Sequence, residues 1–360
     1  MKIAKLSLAA IVAVGAMTTF ASASQLEEAV KGTTIDGFVR YRFTDNNNRG
    51  GDQHQFTSVA NFTMPVAEHV KAGVLLTVNG TDKASEAAAS DYKSGLSYDI
   101  GRVWFGFDFD NVSAKLGKFE VLSPWTDPGY RGTVGNGLLV LYTGVPDWTF
   151  AGAGFVDTNL GDIGEKNLYA LAAMGKVGPA DLQVWFANME DVFDYSVYAD
   201  AKFAMAGFKA RLQANVLKLD ADVEDDTGVY FGGTLGYSAY GFDATLGYTK
   251  NDDKQPVYNL ANDDSSGFIW SGGKQINGMV ANTADAQVIF FDLGYGMGKY
   301  GLGAGVANFQ VDGDDVANEW YVSGAYKYSK NFKLSSYYSS LNLEDALDNH
   351  KVRFEAKYSF

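Results

Sequence analysis

Apolar and polar residues alternate one by one along the last ten positions of the chain. Over 351–360 the odd positions are charged or polar and the even positions are apolar, ending in Tyr358 and Phe360. A spacing of two is that of a β-strand, whose side chains point to opposite faces in turn. In a soluble sandwich the apolar face would pack into a core. A strand that closes on an aromatic residue is instead typical of an outer-membrane barrel, with lipid on the apolar side and a water-filled lumen on the charged side.

The same alternation recurs through the chain and predicts a series of strands. They cover 33–44, 54–64, 69–81, 97–109, 112–119, 137–143, 147–156, 167–177, 180–188, 193–206, 207–219, 227–240, 241–250, 284–299, 300–309, 316–329, 331–341 and 348–360. A single-chain barrel with both termini on one side needs an even number, here eighteen, with sixteen as the alternative. Segments 168–175 and 300–309 alternate poorly and are rich in Ala and Gly, so they are predicted either to face a neighbouring subunit or to be misassigned.

The connections between the predicted strands alternate in length. Short ones built on Gly, Pro, Asn and Asp lie at 65–68, 145–147, 178–179, 206–207, 240–241 and 330–331. Long polar ones lie at 45–53, 82–96, 120–136, 157–166 and 251–283. Turns on one rim and surface loops on the other are typical of outer-membrane barrels. The predicted fold is therefore all-β, a transmembrane antiparallel β-barrel.

The N-terminus predicts export. Lys2 and Lys5 precede an apolar run over 6–17, and Ala21-Ser22-Ala23 forms a small-residue cleavage site. We therefore predict a signal peptide over 1–23 and a single barrel domain over 24–360, although a membrane-anchoring helix is the alternative. Cleavage removes two lysines and no acids, so the formal charge changes from −14 to −16. Such acidity disfavours nucleic-acid binding, which needs clustered Lys and Arg.

Several short motifs resemble one known family. They are Leu26-Glu27-Glu28-Ala29, the segment 37–42, Gly117-Lys118 leading into Trp125-Thr126-Asp127, and the segments 135–137, 153–157 and 337–343. The chain thereby resembles the major outer membrane porin of the Campylobacter group, an epsilonproteobacterial porin family, over its whole mature length. The resemblance implies an eighteen-stranded homotrimer whose third surface loop folds into the channel. It also implies a possible structural calcium ion, for which Asp127 and Asp157 match carboxylate positions, whereas no cofactor is required.

Loop 120–136 is the predicted pore constriction, because it joins two strands near the middle of the barrel. It carries Glu120, Asp127 and Arg131. A row of basic side chains is expected to face it across the lumen: Arg40, Arg42, Arg102, Lys209, Arg211 and Arg353. Opposed acidic and basic rows would create a transverse field that orients polar solutes. The alternative is that these charges merely line a solvated lumen.

The predicted function is passive diffusion of small hydrophilic solutes and ions through a water-filled outer-membrane channel. Weak cation selectivity is expected because loop acids, including Asp252, Asp253, Asp263 and Asp264, would make the outer mouth negative. Catalysis is not expected, because the three histidines have no evident Ser or Asp partner. Phe360 resembles the terminal aromatic signal that barrel-assembly machinery recognises, and outer-membrane lipid should contact the apolar face.

Two alternatives stay open at this point. In a substrate-specific channel, aromatic side chains in the lumen would stack on sugars, and Trp104 and Tyr321 have the parity that faces the lumen. In a porin that also acts as an adhesin, loops 82–96 and 251–283 would contact other surfaces.

Overall fold

The structure is a computed structural model that describes residues 31–47, 51–83, 97–126, 129–130, 132–220, 227–256, 260, 267–269, 273–276, 283–344 and 347–360. The predicted signal peptide lies outside these residues. Asp127, Arg131, Asp263 and Asp264 also lie outside them. Among the described residues there is no helix long and apolar enough to cross a bilayer.

Eighteen antiparallel strands form one closed sheet, in which each strand pairs with the next and the last pairs with the first. Their bounds are β1 Thr34–Asn46, β2 Gly51–Ala67, β3 Val70–Lys83, β4 Ser97–Phe109, β5 Val112–Glu120, β6 Val134–Tyr142, β7 Trp148–Thr158, β8 Leu168–Val177, β9 Ala180–Met189, β10 Phe193–Met205, β11 Phe208–Leu219, β12 Thr227–Ala239, β13 Phe242–Asn251, β14 Ala286–Met297, β15 Tyr300–Val311, β16 Asp314–Lys327, β17 Phe332–Leu343 and β18 Asn349–Ser359. A 3-10 turn over Gly161–Ile163 lies between β7 and β8. The predicted count of eighteen is confirmed.

The barrel closes where β18 meets β1. The register runs from Phe38 opposite Ser359 to Asn46 opposite Lys351. Beyond the end of this ladder, the amide of Gly37 donates to the carbonyl of Phe360 at 3.1 Å and the amide of Phe360 donates back at 3.0 Å. The last residue of the chain is therefore part of the seam. Closure leaves no unpaired strand edge, which is the condition for a sheet to span a bilayer.

One rim, here called the turn rim, carries tight connections. Two of them, Ala206-Gly207 and Tyr240-Gly241, have positive φ at both residues (52° and 85°, and 51° and 84°). That is the conformation of two-residue hairpin turns whose twist matches the strands, and it explains the glycine in second place. The opposite rim, the loop rim, carries the long connections at 121–133 and 252–285. Two connections on the loop rim are nevertheless short, at 190–192 and 312–313.

The outer face of the barrel is apolar, as predicted. Leu212 and Leu235, for example, are 68% and 67% exposed. The poor alternation of segment 168–175 has a cause inside the barrel: Leu168 and Ala172 point inward and are buried, and Leu168 packs in an apolar cluster with Phe119 and Trp125. The small residues of 300–309 also have an internal explanation. A Cβ at Gly305 would lie 2.4 Å from the ring of Tyr321, so glycine leaves room for that ring in the lumen.

Candidate functional site in the barrel lumen

The connection from β5 to β6, residues 121–133, crosses the lumen; we call it the first inward loop. At one end the indole of Trp125, only 3% exposed, donates to the Oδ1 of Asn215 on β11 at 2.9 Å. At the other end Arg40 on β1 donates to the hydroxyl of Tyr130 at 2.7 Å, and the Tyr130 ring meets Phe38 edge-on at 5.3 Å. β1 and β11 are ten strands apart one way round the sheet and eight the other way. The loop therefore joins opposite walls.

Local bonds hold the base of this loop. The carboxylate of Glu120, at the end of β5, pairs with Arg102 on β4 at 2.9 Å and also accepts the amide of Gly129. Arg102 donates in turn to the carbonyl of Gly129. Thr126 accepts the amide of Ser123 at 3.0 Å, which closes a tight turn beside Trp125. Charge-assisted bonds of this kind are stronger than neutral ones, so the turn presents Trp125 and Tyr130 to opposite walls.

The connection from β13 to β14, residues 252–285, is a second inward loop. Gly267 donates its amide to the carbonyl of Pro124 in the first inward loop at 2.8 Å. Ile269 donates to Gln213 on β11 at 2.7 Å and accepts the hydroxyl of Tyr230 on β12. Phe268 is 6% exposed and its ring meets Tyr230 at 5.0 Å. The prediction that 251–283 is an exposed surface loop is wrong for these residues, because their apolar side chains pack inside the barrel.

A buried carboxylate on β16 holds the far side of the second inward loop. Glu319, 3% exposed, accepts three successive backbone amides, from Lys274 at 2.7 Å and from Gln275 and Ile276 at 3.0 Å each. Successive N–H groups that converge in this way form a concave anion site. Ile276 beside them is fully buried.

The side chain of Lys274 reaches back to the barrel wall. Its ammonium lies 4.1 Å from the ring centre of Tyr321, whose hydroxyl donates to Asp292 at 2.6 Å. Burial lowers the pKa of Lys274 below its ordinary value of 10.5, although Asp292 and Glu319 nearby act in the opposite direction. The contact with Tyr321 is a cation–π interaction, which is strongest where water is excluded.

The wall around the closing seam is charged. Arg42 on β1 donates to Glu355 on β18 at 2.8 Å, and Arg40 lies 3.8 Å from the same oxygen. Arg353 lies 5.4 Å from the ring centre of Tyr337 and bonds Thr44 at 3.3 Å. Two cations, Arg40 and Arg42, thus flank the carboxylate of Glu355, while Arg353 and Lys357 lie over the rings of Tyr337 and Phe38.

The predicted basic residues do not form a single row in the structure, and because Asp127 lies outside the described residues their opposition to an acidic loop stays a prediction. Arg102 lies beside Glu120 on the neighbouring strand. On β11, Lys209 pairs with Asp243 at 2.5 Å and Arg211 pairs with Asp200 at 2.6 Å. Attraction between charges grows as the local dielectric falls, so neighbours on the wall pair before charges across water do. Of the predicted basic residues, Arg40, Arg42 and Arg353 share the wall that the first inward loop meets through Tyr130.

The described residues do not fit a calcium site. Asp157 lies at the outer end of β7, exposed, with its carboxylate bonded to Asn136 at 2.7 Å. Both oxygens of Glu120 are engaged by Arg102 and Gly129. No group of three metal-ligating side chains occurs within the described part of the chain. Calcium needs six to eight oxygens, so the implied ion stays a prediction.

The two aromatic residues proposed as sugar platforms are already covered. Trp104 lies under the ammonium of Lys115 at 4.5 Å, and Tyr321 lies under Lys274. They stand on β4 and β16 and form no continuous ladder. Sequence reasoning missed Glu319 as the anchor of the second inward loop, and Asp200 as the partner of Arg211 and Gln213, which bond the carbonyl of Gly267 in that loop. The signal in the sequence was a carboxylate at a lumen-facing position of a strand, with an apolar or aromatic residue at the next lumen-facing position.

A family model described as Campylobacter major outer membrane protein matches residues 1–161. This match confirms the resemblance over that segment, while the motif at 337–343 lies beyond it. No curated protein sequence matches the chain. Among solved structures, Pseudomonas aeruginosa OpdO is similar with a TM-score of 0.74 at 14% identity, covering 93% of this chain and 98% of that one. OpdK of the same organism gives 0.72 at 14%, covering 92% and 99%, and OccK5 (OpdH) gives 0.71 at 10%, covering 92% and 98%. At these identities the likeness concerns the fold.

The closed sheet, its apolar outer face and the inward loops define an outer-membrane β-barrel channel. Over residues 1–161 the chain matches the Campylobacter major outer membrane protein family. The chain thus has the fold of a bacterial outer-membrane β-barrel.

Proposed function

We propose that the channel passes small hydrophilic solutes and ions by passive diffusion along the charged wall near the β18–β1 seam. One observation carries the proposal. The apolar side chains of the inward loops pack against β9 to β12, and these loops touch the seam side of the wall through the polar groups of Tyr130 and Gln275. That side presents Arg40, Arg42, Arg353 and Glu355 to the lumen. Charged side chains that line a pore favour polar solutes over apolar ones.

We further propose weak cation selectivity at low salt. The whole chain carries a formal charge of −14, and low-dielectric walls focus such a field into the pore. The seam wall opposes it with a local positive excess, which keeps the preference weak. Screening should remove the preference as the Debye length falls to about 3 Å near 1 M salt.

Two neighbouring substitutions on β18 test this balance in planar bilayers. Arg353→Gln removes a wall cation and should move the reversal potential in a salt gradient toward stronger cation preference. Glu355→Gln removes the wall carboxylate and should move it the opposite way. Shifts of the reversal potential in the same direction in both variants, or an anion-selective wild type, would overturn the proposed role of the seam wall in ion selectivity.

The homotrimer is proposed from the family resemblance. Crosslinking of the protein in isolated outer membranes should give a three-subunit species that withstands heating, whereas the oligomer without crosslinker should dissociate to single subunits when heated in detergent. A species that never exceeds one subunit would contradict it.

A further inference from the structure

The lumen contains an apolar cavity that the diffusion path does not explain. It has a volume of about 470 Å³ and lies between the first inward loop and the wall formed by β6 to β11. Leu139, Leu141 and Trp185 line its sides, and the loop segment 121–125 covers it. The lumen-facing side of a porin wall is normally polar, so an apolar stretch inside the barrel needs a separate reason.

Small side chains create the space. Ala151 and Ala153 on β7 and Ala170 and Ala172 on β8 face the cavity in adjacent positions of the antiparallel ladder. Larger residues occupy the tightly packed end beyond them, where Phe155 is 3% and Leu168 is 4% exposed. The volume falls within the range of about 300–1,000 Å³ that is usual for small-molecule sites.

The other end of the cavity opens beside a cation. Lys202 on β10 lines it with its side chain 51% exposed, and Arg211 stands next to it. The carboxylate nearest to Lys202 is Asp200, 4.0 Å away, and Asp200 is already bonded by Arg211, Gln183 and Gln213.

The remaining acid on the lining is engaged elsewhere. Glu120 pairs with Arg102 and accepts the amide of Gly129. The open end is therefore cationic toward water, while the closed end is apolar. This is the charge pattern that complements a molecule with one anionic end and one apolar end.

We propose that this cavity binds a single-chain amphipathic monocarboxylate, with its chain among the four alanines and its carboxylate at Lys202. A two-chain lipid does not fit the volume, and the site faces the lumen and not the bilayer. The site is additional to the diffusion path, because solutes that follow the seam wall do not pass through it.

The test uses the protein in lipid nanodiscs and 8-bromooctanoate as the probe, since bromine quenches tryptophan emission at contact and both Trp125 and Trp185 line the cavity. Wild type should show saturable quenching above the linear background from probe dissolved in lipid. Ala170→Leu should abolish the saturable part by filling the cavity. Ala173→Leu, on the outward parity of the same strand, should leave it unchanged.

The head group is tested separately. Lys202→Gln should weaken binding about two- to fivefold, as expected for a partly exposed ion pair, while Lys176→Gln outside this cavity should not. The uncharged probe 8-bromooctanol should bind wild type more weakly than the carboxylate by the same factor. Equal binding of the two probes would overturn the role of Lys202, and equal quenching of wild type and Ala170→Leu would overturn the site.

A second variant guards against misfolding. Trp185→Phe keeps an aromatic ring in the cavity wall but removes one of the two tryptophans whose emission reports binding. The saturable quenching should therefore decrease. Unreduced quenching would show that the probe binds elsewhere. Single-channel recording on the same preparations separates the two proposals, because diffusion should persist in Ala170→Leu.

Discussion

The two sides of the barrel lumen are built in different ways. From β9 to β12, the wall and the inward loops pack like the core of a soluble protein, with Trp125, Tyr198, Phe268 and Tyr230 in edge-to-face contact. Around the β18–β1 seam, charged side chains pair along the wall and Tyr130 provides the contact with the first inward loop. The barrel is the same on both sides, so the difference comes from what covers its inner face. In the function proposed above, the packed side narrows the pore and the charged side conducts.

The strongest way to break this division is to remove the anchor of the first inward loop. Trp125→Ala deletes a buried ring and its bond to Asn215, a change that typically costs about 3–5 kcal/mol. We expect the loop to leave the β11 wall, with higher single-channel conductance and more current noise. Trp320→Ala removes an indole that is 45% exposed on the outer face and should leave conductance at the wild-type level. Wild-type conductance in Trp125→Ala would contradict the anchoring role.

The second inward loop should depend on Glu319 more than on any other single polar group described here. Glu319→Ala removes one acceptor that serves three amides, and each hydrogen bond to a charged group contributes about 1.5–3 kcal/mol, partly replaced by water. Hydrogen exchange at Lys274, Gln275 and Ile276 should accelerate by about tenfold or more, the factor equivalent to about 1.4 kcal/mol. Glu355→Ala removes a lumen carboxylate that holds no loop. It should leave exchange at these amides unchanged, and equal acceleration in both variants would show a general loosening of the barrel.

The seam offers a smaller test on the charged side. Deleting Phe360 removes two backbone bonds to Gly37 and a ring that is 43% exposed, so the finished barrel should lose only about 1–3 kcal/mol. If the residue acts mainly as an assembly signal, as its terminal aromatic ring suggests, deletion should lower the amount in the outer membrane of cells several-fold and leave refolding in detergent nearly normal. Phe360→Tyr keeps a terminal aromatic ring and should restore the amount. Unchanged surface levels in the deletion would refute this role.

The smallest expected effect is a pH dependence of loop docking. Because burial lowers the pKa of Lys274, the docked loop binds fewer protons than the undocked loop at pH values between the lowered pKa and 10.5. Docking should therefore strengthen as the pH rises through that window. Hydrogen exchange at Gln275 and Ile276, corrected for its intrinsic pH dependence, should show increasing protection in wild type and a flat profile in Lys274→Met. Protection that decreases as the pH rises would mean that docking raises the pKa of Lys274, which would contradict the desolvation of its ammonium group.

The sequence predicts the barrel well because each strand carries its own evidence. The alternation in β18 depends only on neighbours two residues apart, and the tight turns are marked by pairs such as Ala206-Gly207. Even the pairing of Arg211 with Asp200 was accessible, since a two-residue turn at 206–207 sets Asp200 opposite Gln213 and diagonal to Arg211. Alternation along a strand shows which face a residue occupies but not which residue of the next strand lies opposite it. Opposed charged rows were predicted for that reason, because the pairing of neighbouring strands was not taken into account.

The course of the second inward loop could not be predicted in this way. Its contacts join residues far apart in the chain, such as Lys274 with Glu319 and Gly267 with Pro124. The segment is polar overall, so its few apolar residues give no period to read. The short run Phe268-Ile269-Trp270 and the isolated Ile276 look like minor hydrophobic stretches of a surface loop in the sequence alone. For the same reason the first inward loop could be inferred from its position, but its two wall contacts could not.

The packing of residues 267–269 and 273–276 inside the barrel has an evolutionary consequence. Loops at a cell surface usually accumulate substitutions freely, because few contacts restrain them. Here Phe268, Ile269 and Ile276 are buried like core residues, and a change in their volume would disturb the pore itself. We therefore expect natural variants to differ least at these three positions within the segment, so that sequence drift visible to phages or antibodies is confined to the parts of the loop rim that do not enter the lumen.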